Sequence, residues 1–412
     1  MRTRILVAAG LTVAATGLAV VAPPGSDTAA AATHAHQFVL SGEGNRLWAY
    51  DAQTGTSRLV VQAQNPIGAS TATTPPSSPH KYDINGQICV SPDGGHIVTG
   101  EDTVLPFHGK QGSSHDPRIA GWGYYTISGS TLQTLHVKEI GKLAPNAGLG
   151  PGYTGDPDNY GCGFLDRRRL FTTAIGNTLP GEKANGQLFL FFGPFTRKYG
   201  VAHDKSASFY VGQVPHCAID DTLATAGGVT IDRNGDVYVA TNRPDDALHP
   251  GTVWRFRGRW PTSAKQCTKQ YVAAHIHKTR IIPRTTVGPA PDAHAATPSA
   301  VVISPWDTLI VSSVFSGTIA EYTKTGFWVR DLYPQTPVAV PTGPTGQTPY
   351  GLRFTSDGSL WVADLGIVGD DSAPDQGSVI RIRFDGVGDR GAVSTMRDGL
   401  QFPDGLGVYT TR

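Results

Sequence analysis

The amino-acid sequence predicts an all-β protein, a six-bladed β-propeller built from four-stranded antiparallel blades. The first observation behind this prediction is a hairpin-like phrase that recurs along most of the chain. The second is the composition, with 50 glycines, 30 prolines and only 16% charged residues. The third is the scarcity of helical periodicity after residue 33. Short strands that recur along the chain, separated by turn residues, are typical of propellers.

The N-terminal 32 residues have the organisation of a secretory signal peptide. Arg2 and Arg4 give a positive start, residues 5–22 form an almost uncharged apolar run, and Ala30-Ala31-Ala32 supplies small residues for cleavage. We therefore predict a signal peptide at 1–32 and a single propeller domain at 33–412, secreted to the extracellular space. The alternative is a retained membrane anchor, although the run is shorter than a usual span. No membrane association is expected after cleavage.

Four cysteines in an exported chain predict disulfides. Four cysteines allow three pairings, and the expected one joins neighbours in sequence, Cys89 to Cys162 and Cys217 to Cys267. None of them has the Cys-x-x-Cys spacing of a zinc or redox site. A structural role is therefore expected for all four.

The recurring phrase describes the first two strands of a blade. Its first copy reads Asn85-Gly-Gln-Ile-Cys-Val-Ser-Pro-Asp-Gly-Gly-His-Ile-Val-Thr. The Asp-Gly step favours the positive φ of a tight hairpin turn, and β-branched residues flank it. Further copies begin at Tyr160, Gly227, Pro298 and Pro349. A third strand follows the hairpin, as in Thr252-Val-Trp-Arg-Phe, and a weaker fourth strand comes next.

The sixth copy is divided between the two ends of the chain. The C-terminal Phe402-Pro-Asp-Gly-Leu-Gly-Val-Tyr matches only the first strand of the phrase. Gln37-Phe-Val-Leu, Arg46-Leu-Trp-Ala-Tyr and Arg58-Leu-Val-Val match strands two, three and four. Joining the two ends completes one blade and removes the strand edges that an open ring would expose.

A count of seven blades is the alternative. It would apply if the strand at 187–192 and the strand at 208–213 belonged to separate blades. The divided sixth copy favours six blades, because the two ends of the chain together complete the sixth blade and so close the ring.

Two short motifs resemble known propeller families. Thr348-Pro-Tyr-Gly-Leu-Arg-Phe, with Asp357-Gly-Ser-Leu-Trp-Val-Ala-Asp364 after it, resembles an NHL repeat. Pro403-Asp404-Gly405-Leu406 is similar to the Pro-Asp-Gly strand opening of the SMP-30/gluconolactonase and strictosidine synthase-like six-bladed propellers.

The second resemblance implies a divalent metal, commonly calcium, in the central channel, bound by carboxylate and Asn ligands from the starts of inner strands. Carried over residue by residue, it implies Asp404, Asn85 and Asn159 as the metal ligands. The glutamate of the family's Glu-Gly-Pro motif has no clear counterpart in this chain.

The connections between strands predict which face carries a site. Connections from the first to the second strand are tight, whereas connections from the second to the third strand and between blades are mostly long. In a four-stranded meander these two kinds of long connection lie on the same face of the domain. Long loops on a rigid scaffold usually carry function. Six of the 13 histidines fall in these long connections: His80, His108, His115, His216, His249 and His294.

Imidazoles and carboxylates on the same rim suit proton transfer near neutral pH. The sequence therefore predicts His108, His115, Glu101 and Asp364 as catalytic residues on the loop-rich face. The plainer interpretation is that exposed loop histidines are only polar and that the predicted metal ligands only cap strand starts.

Two functions are compatible with these features. One is a metal-dependent hydrolase of lactone or ester type, of the SMP-30/gluconolactonase kind. The alternative is a non-catalytic extracellular module that binds a carbohydrate, a peptide or a protein. We expect a monomer in either case, and a small-molecule or carbohydrate ligand is compatible with both functions. A net charge of +1 gives no basic surface for nucleic acid.

Overall fold

The computed structural model describes 15 stretches of the chain: residues 35–44, 46–61, 84–101, 121–143, 156–176, 186–195, 214–223, 226–241, 251–282, 297–314, 316–333, 348–368, 371–372, 376–385 and 389–411. The predicted signal peptide, His108 and His115 lie outside these residues. So do His80, His249 and His294.

Six four-stranded antiparallel sheets form the described fold, one for each predicted blade. Blade 1 contains β1 (Gln37–Glu43), β2 (Arg46–Asp51) and β3 (Ser57–Val61). Blade 2 contains β4 (Ile84–Val90), β5 (His96–Glu101), β6 (Gly121–Ser128) and β7 (His136–Leu143). Blade 3 contains β8 (Asp156–Asp166), β9 (Arg169–Gly176), β10 (Gly186–Phe192) and β11 (His216–Leu223).

The second half of the chain repeats the arrangement. Blade 4 contains β12 (Ala226–Ile231), β13 (Val237–Thr241), β14 (Thr252–Gly258), the helix α1 (Lys269–His275) and β15 (Ile276–Arg280). Blade 5 contains β16 (Pro298–Ile303), β17 (Leu309–Ser313), β18 (Thr318–Tyr322) and β19 (Trp328–Tyr333). Blade 6 contains β20 (Pro349–Phe354), β21 (Leu360–Asp364), a small hairpin of β22 (Ile367–Val368) and β23 (Asp371–Ser372), then β24 (Gly377–Asp385) and β25 (Asp389–Leu400).

The C-terminal strand β26 (Pro403–Thr410) closes the ring as predicted. It pairs antiparallel with β1, from Gln37 opposite Thr410 to Glu43 opposite Pro403. The innermost strands β26, β4, β8, β12, β16 and β20 contact one another in this order, and β20 contacts β26 again. The count of six blades is thereby confirmed, and the alternative of seven is wrong because the inner strands of the six described sheets close on one another. The strand that this alternative placed at 208–213 lies outside the described residues.

The hydrophobic core is divided into six clusters, one between each pair of neighbouring blades. Between blades 3 and 4, for example, Phe171 and Leu190 pack with Val239 and Phe256. Between blades 6 and 1, Trp361 and Val379 pack with Val39 and Tyr50. Each blade therefore buries both of its faces, which explains why strands such as β13, β17 and β21 are apolar without alternation.

Two local features differ from the sequence prediction. The predicted loop between Gly200 and Ala226 contains the outer strand β11. The connection from β14 to β15 contains α1, which the scarcity of helical periodicity did not predict. Thr268 caps this helix, since its hydroxyl accepts the Tyr271 N–H at 3.1 Å.

Both disulfides form between the predicted partners. Cys89 of β4 is joined to Cys162 of β8, which ties the inner strands of blades 2 and 3 together. Cys217 of β11 is joined to Cys267, which ties the outer strand of blade 3 to blade 4. Disulfides are typical of proteins from oxidising compartments. Among the described residues, no helix is long and apolar enough to span a membrane.

Candidate functional site in the central channel

The six inner strands surround a central channel and run through it in the same direction. We call the end where they begin the loop face, because the connections between blades arrive there. The end where they finish is the hairpin face, because the tight turns to the second strands lie there. At the hairpin face, for example, Gly94 N–H donates to the Ser91 carbonyl and Gly235 N–H donates to the Asp232 carbonyl.

Near the loop face the inner strands touch one another backbone to backbone. A Cβ atom at Gly405 of β26 would lie 1.4 Å from the carbonyl oxygen of Gly86 in β4. A Cβ atom at Gly161 of β8 would lie 2.3 Å from the carbonyl oxygen of Gly227 in β12. Only glycine permits this approach, which brings the residues beside these glycines to one level of the channel.

Asp404 lies at this level and is 2% exposed. Its carboxylate oxygen Oδ2 accepts the Gly86 N–H at 2.8 Å. Its backbone carbonyl accepts the hydroxyl of Tyr160, which reaches across from blade 3, at 3.0 Å. Burial raises the pKa of Tyr160 well above its ordinary value, so this phenol remains a donor.

The contacts of Asp404 involve the chain neighbours of both other predicted metal ligands. Gly86 follows Asn85, and Tyr160 follows Asn159. The fold thus places the backbone of the three predicted ligand positions at the same end of the channel. The side chains of Asn85 and Asn159 lie outside the described part, so the ligand set stays a prediction. Among the described residues, no group of three or more His, Cys, Asp or Glu side chains could hold a metal ion.

Three second strands end in an acidic residue beside this level. The strand register places Glu43 opposite Pro403, Glu101 opposite Ile84 and Asp364 opposite Pro349. The inner-strand residue opposite each of them comes directly before a residue that lines the channel. The three acidic residues belong to the consecutive blades 6, 1 and 2. We call Glu43, Glu101, Asp364 and Asp404 the acidic sector. The side chain of Glu101 lies outside the described part.

Glu43 was not among the predicted site residues, although burial strongly perturbs its carboxyl. It is 4% exposed, and its carboxylate accepts hydrogen bonds from the Tyr50 hydroxyl and from Nη1 of Arg397, the latter at 3.0 Å. Burial raises the pKa of Glu43 to about 7, against the opposing effects of Tyr50 and Arg397. Its position at the end of a second strand, shared with Glu101 and Asp364, is the sequence signal that could have identified it.

Asp364 is also buried, and its carboxylate is engaged with the backbone. Its Oδ1 atom accepts the Thr348 N–H at 2.7 Å, the Thr348 hydroxyl at 3.2 Å and the Gly366 N–H at 3.3 Å. Burial raises its pKa to about 6 despite these bonds. In blade 5 the Ser313 hydroxyl accepts the Thr297 N–H at 2.8 Å in the same way. In both blades the last residue of the second strand therefore accepts the N–H of the residue just before the inner strand. The catalytic role of Asp364 stays a prediction.

Buried polar and aromatic side chains occupy the middle of the channel. The ring of Tyr160 packs edge-on against Tyr350 with 4.5 Å between centroids. Gln87 of β4 extends to blade 4, where its amide donates to the Val229 carbonyl at 2.7 Å and accepts the Val229 N–H at 2.8 Å. The same amide oxygen accepts the Cys162 N–H at 3.2 Å. Tyr160 and Tyr350 thus lie at the level of Asp404, and Gln87 lies further along its strand, towards the hairpin face.

A cavity of about 420 Å³ opens at the hairpin face of the channel. The ends of all six inner strands contribute to its wall, which includes both cysteines of the Cys89–Cys162 disulfide. Arg353 of β20 is the one charged residue in this lining. Most of the other lining side chains are apolar: Ile88, Val90, Phe164, Val229, Ile231, Val302, Ile303, Phe354 and Val408.

Of the six loop histidines, only His216 belongs to the described residues. It begins the outer strand β11, where its ring stacks on Phe191 at 5.0 Å between centroids and Nδ1 lies 2.8 Å from the Val214 carbonyl oxygen. It thus packs within blade 3 rather than at the channel. The catalytic roles of His108, His115 and Glu101 stay predictions.

No family model and no curated protein matches the chain. Solved structures with a similar fold include a chain of a nidogen–laminin complex, with 10% identity over 90% of this chain and 98% of that one and a TM-score of 0.48. They also include the periplasmic gluconolactonase of Pseudomonas aeruginosa, with 10% identity over 92% of this chain and 100% of that one and a TM-score of 0.44.

A third similar structure is regucalcin from Agrobacterium tumefaciens, described as a calcium-binding protein. It has 10% identity over 88% of this chain and 86% of that one, with a TM-score of 0.44. These are distant similarities in fold between very different sequences. The six-bladed architecture of this chain follows from its own strand pairing.

Proposed function

We propose that the protein is a secreted hydrolase of lactone or ester type that uses a divalent metal, such as calcium, at the loop face of the channel. The observation that carries the proposal is the acidic sector. Two of its carboxyls, Glu43 and Asp364, have pKa values raised to about 7 and about 6 by burial. Carboxyls that titrate near neutral pH and lie at one end of a channel are typical of sites of proton transfer.

The residues at this end fit an oxygen-binding cation. Asp404 offers a buried carboxylate, and Asn85 and Asn159 would add amide oxygens, which are ligands that calcium prefers. A bound divalent metal would polarise a substrate carbonyl. The hydrogen bonds that the Gly86 N–H and the Tyr160 hydroxyl donate to Asp404 hold its segment in place. Glu101, Asp364, His108 and His115 are the candidates for activating water and protonating the leaving oxygen.

The alternative function is an extracellular module that binds a small molecule or a carbohydrate without turnover. It is favoured by the engagement of Asp364 as a cap for Thr348. A carboxylate that is held by three donors is less available for proton transfer than one that faces substrate.

The test is to purify residues 33–412 without chelator and without a histidine tag, then to measure bound metal and the hydrolysis of a panel of lactones and esters. We expect about one divalent metal per chain and measurable turnover. The variant Asp404→Asn retains an acceptor for the Gly86 N–H but removes the charge. It should lose the metal and at least about tenfold in kcat/KM, since a charged ligand is replaced by a weaker one.

Asp166→Asn is the matched control. Its carboxylate lies at the hairpin end of blade 3, paired with Arg169 at 2.7 Å, and should affect neither metal nor turnover. A wild-type protein with no bound metal and no hydrolysis across the panel would contradict the hydrolase and favour the binding module.

A further inference from the structure

We propose that the cavity at the hairpin face is a binding site for a small organic carboxylate with an apolar body, with Arg353 as its counter-ion. This site is separate from the acidic sector, because its lining contains none of the residues of that sector and Gln87 lies between the two. It therefore does not depend on the function proposed for the loop face.

Arg353 has no carboxylate partner in the part of the chain that the structure describes. Its Nη1 atom donates to the Leu352 carbonyl at 3.3 Å, and its Nη2 atom lies 3.7 Å from Sγ of Cys89. Neither contact neutralises its charge. Desolvation lowers the pKa of Arg353 to about 10, so the guanidinium still carries its charge at neutral pH.

Two other arginines of the fold show how such a charge is neutralised. Arg381 stacks on Trp361 and pairs with Asp357. Arg397 stacks on Trp48 at 3.6 Å and pairs with Glu43 at 3.0 Å. A charge that is largely removed from water is unfavourable without a partner. The unpaired charge of Arg353 is explained if its partner is a ligand.

The blade itself does not require an arginine at this position. By strand register, Arg353 of β20 corresponds to Thr230 of β12 and to Val302 of β16, each next to last in its inner strand. These two residues line the same cavity. A neutral side chain therefore satisfies the repeat, and the arginine adds one positive charge to an otherwise uncharged wall.

The lining defines the class of ligand. One guanidinium binds a single carboxylate through two parallel hydrogen bonds. The surrounding Val, Ile and Phe side chains would bury an alkyl or aryl body, and they offer few donors or acceptors to a sugar. A volume of about 420 Å³ lies within the range of small-molecule sites. An alkyl or aryl monocarboxylate fits these properties.

The cavity continues outwards, which gives such a ligand a route to solvent. A second cavity of about 540 Å³ shares Val90, Pro92 and Val408 with the first. It extends past the end of β26 at Thr410 to the exposed turn residue Arg167. A longer ligand would follow this path with its carboxylate end at Arg353.

The test is isothermal titration of the purified protein at neutral pH and low salt with octanoate and phenylacetate. Octanamide and phenylacetamide, titrated in parallel, have the same apolar bodies without the charge. We expect the wild-type protein to bind each acid at least tenfold more tightly than its amide. Arg353→Met should remove this preference, whereas Arg353→Lys should retain part of it.

Arg257→Met, which removes an exposed arginine of β14, is the matched control and should bind like the wild-type protein. Asp404→Asn should also leave binding unchanged, which separates this site from the loop face. Equal binding of acid and amide by the wild-type protein, or no binding of either acid, would overturn the proposal even if Arg353→Met did not fold. An unchanged preference in a folded Arg353→Met protein would also overturn it.

Discussion

At the scale of single residues, burial decides the chemistry of the acidic sector. Glu43 and Asp364 are each the last residue of a second strand, yet their hydrogen-bond partners differ. Glu43 contacts the side chains of Tyr50 and Arg397, whereas Asp364 accepts bonds from Thr348 and Gly366. In both cases desolvation outweighs these favourable contacts and raises the pKa.

The raised pKa of Glu43 predicts how stability depends on pH. Between about pH 4.5 and pH 7 the folded protein retains a proton on Glu43 that the unfolded chain has lost. The contribution of this carboxyl to the free energy of unfolding is therefore present at low pH and is lost as the pH rises through about 7. The loss is at most on the order of 3 kcal/mol.

Glu43→Gln removes this titration, so its free energy of unfolding should fall less between pH 4.5 and pH 8 than that of the wild-type protein. Urea denaturation at pH 4.5, 6 and 8 measures the difference. Asp389→Asn, which changes a side chain that is 88% exposed, should follow the wild-type profile. Identical slopes for Glu43→Gln and the wild-type protein would show that Glu43 is ionised throughout.

At the scale of elements, turn residues and glycines determine how the blades form and fit together. The tight turns of the recurring phrase place glycine where φ is positive, as at Gly235 with φ of 80° and Gly358 with φ of 78°. Inside the inner strands glycine has a different role, because there it permits contact between neighbouring backbones. The two roles predict different costs for the same substitution.

Gly405→Ala should be severely destabilising, because its Cβ would lie 1.4 Å from the Gly86 carbonyl oxygen and a backbone atom cannot move aside. We expect a loss of at least about 3 kcal/mol in the free energy of unfolding. Gly358→Ala is the matched control, since no atom lies within 4 Å of its Cβ position. It should cost only the strain of a positive φ, about 1 to 2 kcal/mol. Urea denaturation of both variants tests the distinction, and equal losses would refute it.

At the scale of the whole molecule, closure by the C-terminal strand makes the six blades a ring. β26 pairs with β1 and contacts the inner strands β4 and β20 on its two sides. The Thr411 N–H also donates to the His36 carbonyl at 2.8 Å. One short strand thus connects the first blade to two neighbours and to the start of the described chain.

A chain that ends at Leu400 should therefore not form a stable ring. It would lack β26 and leave β1 with an unpaired edge, which favours association between molecules. We expect loss of cooperative thermal unfolding by circular dichroism, and aggregates in size-exclusion chromatography. A chain that lacks only Arg412 should fold normally. A monomeric and cooperatively unfolding truncated protein would show that closure is dispensable.

The sequence by itself determined the architecture. Strand patterns, Asp-Gly and Asn-Gly turns and the split sixth phrase are local signals, and together they predicted six four-stranded blades closed by the C-terminal strand. The pairing of Cys89 with Cys162 and of Cys217 with Cys267 was expected from their order in sequence, and the structure contains both. Helix α1 was missed because seven residues carry too weak a periodic signal.

Only the tertiary structure decided what the channel contains. Burial of Glu43 depends on Tyr50 and Arg397 from other strands, and the lone charge of Arg353 depends on which side chains the other five blades bring to the cavity. Arg397 is 354 residues from Glu43 in sequence, and the residues that line the cavity come from six separate blades, so no local pattern reports these contacts. A propeller fixes each blade by short-range pairing, but its channel is a surface to which all six blades contribute, and the electrostatics of that surface arise only when the ring closes.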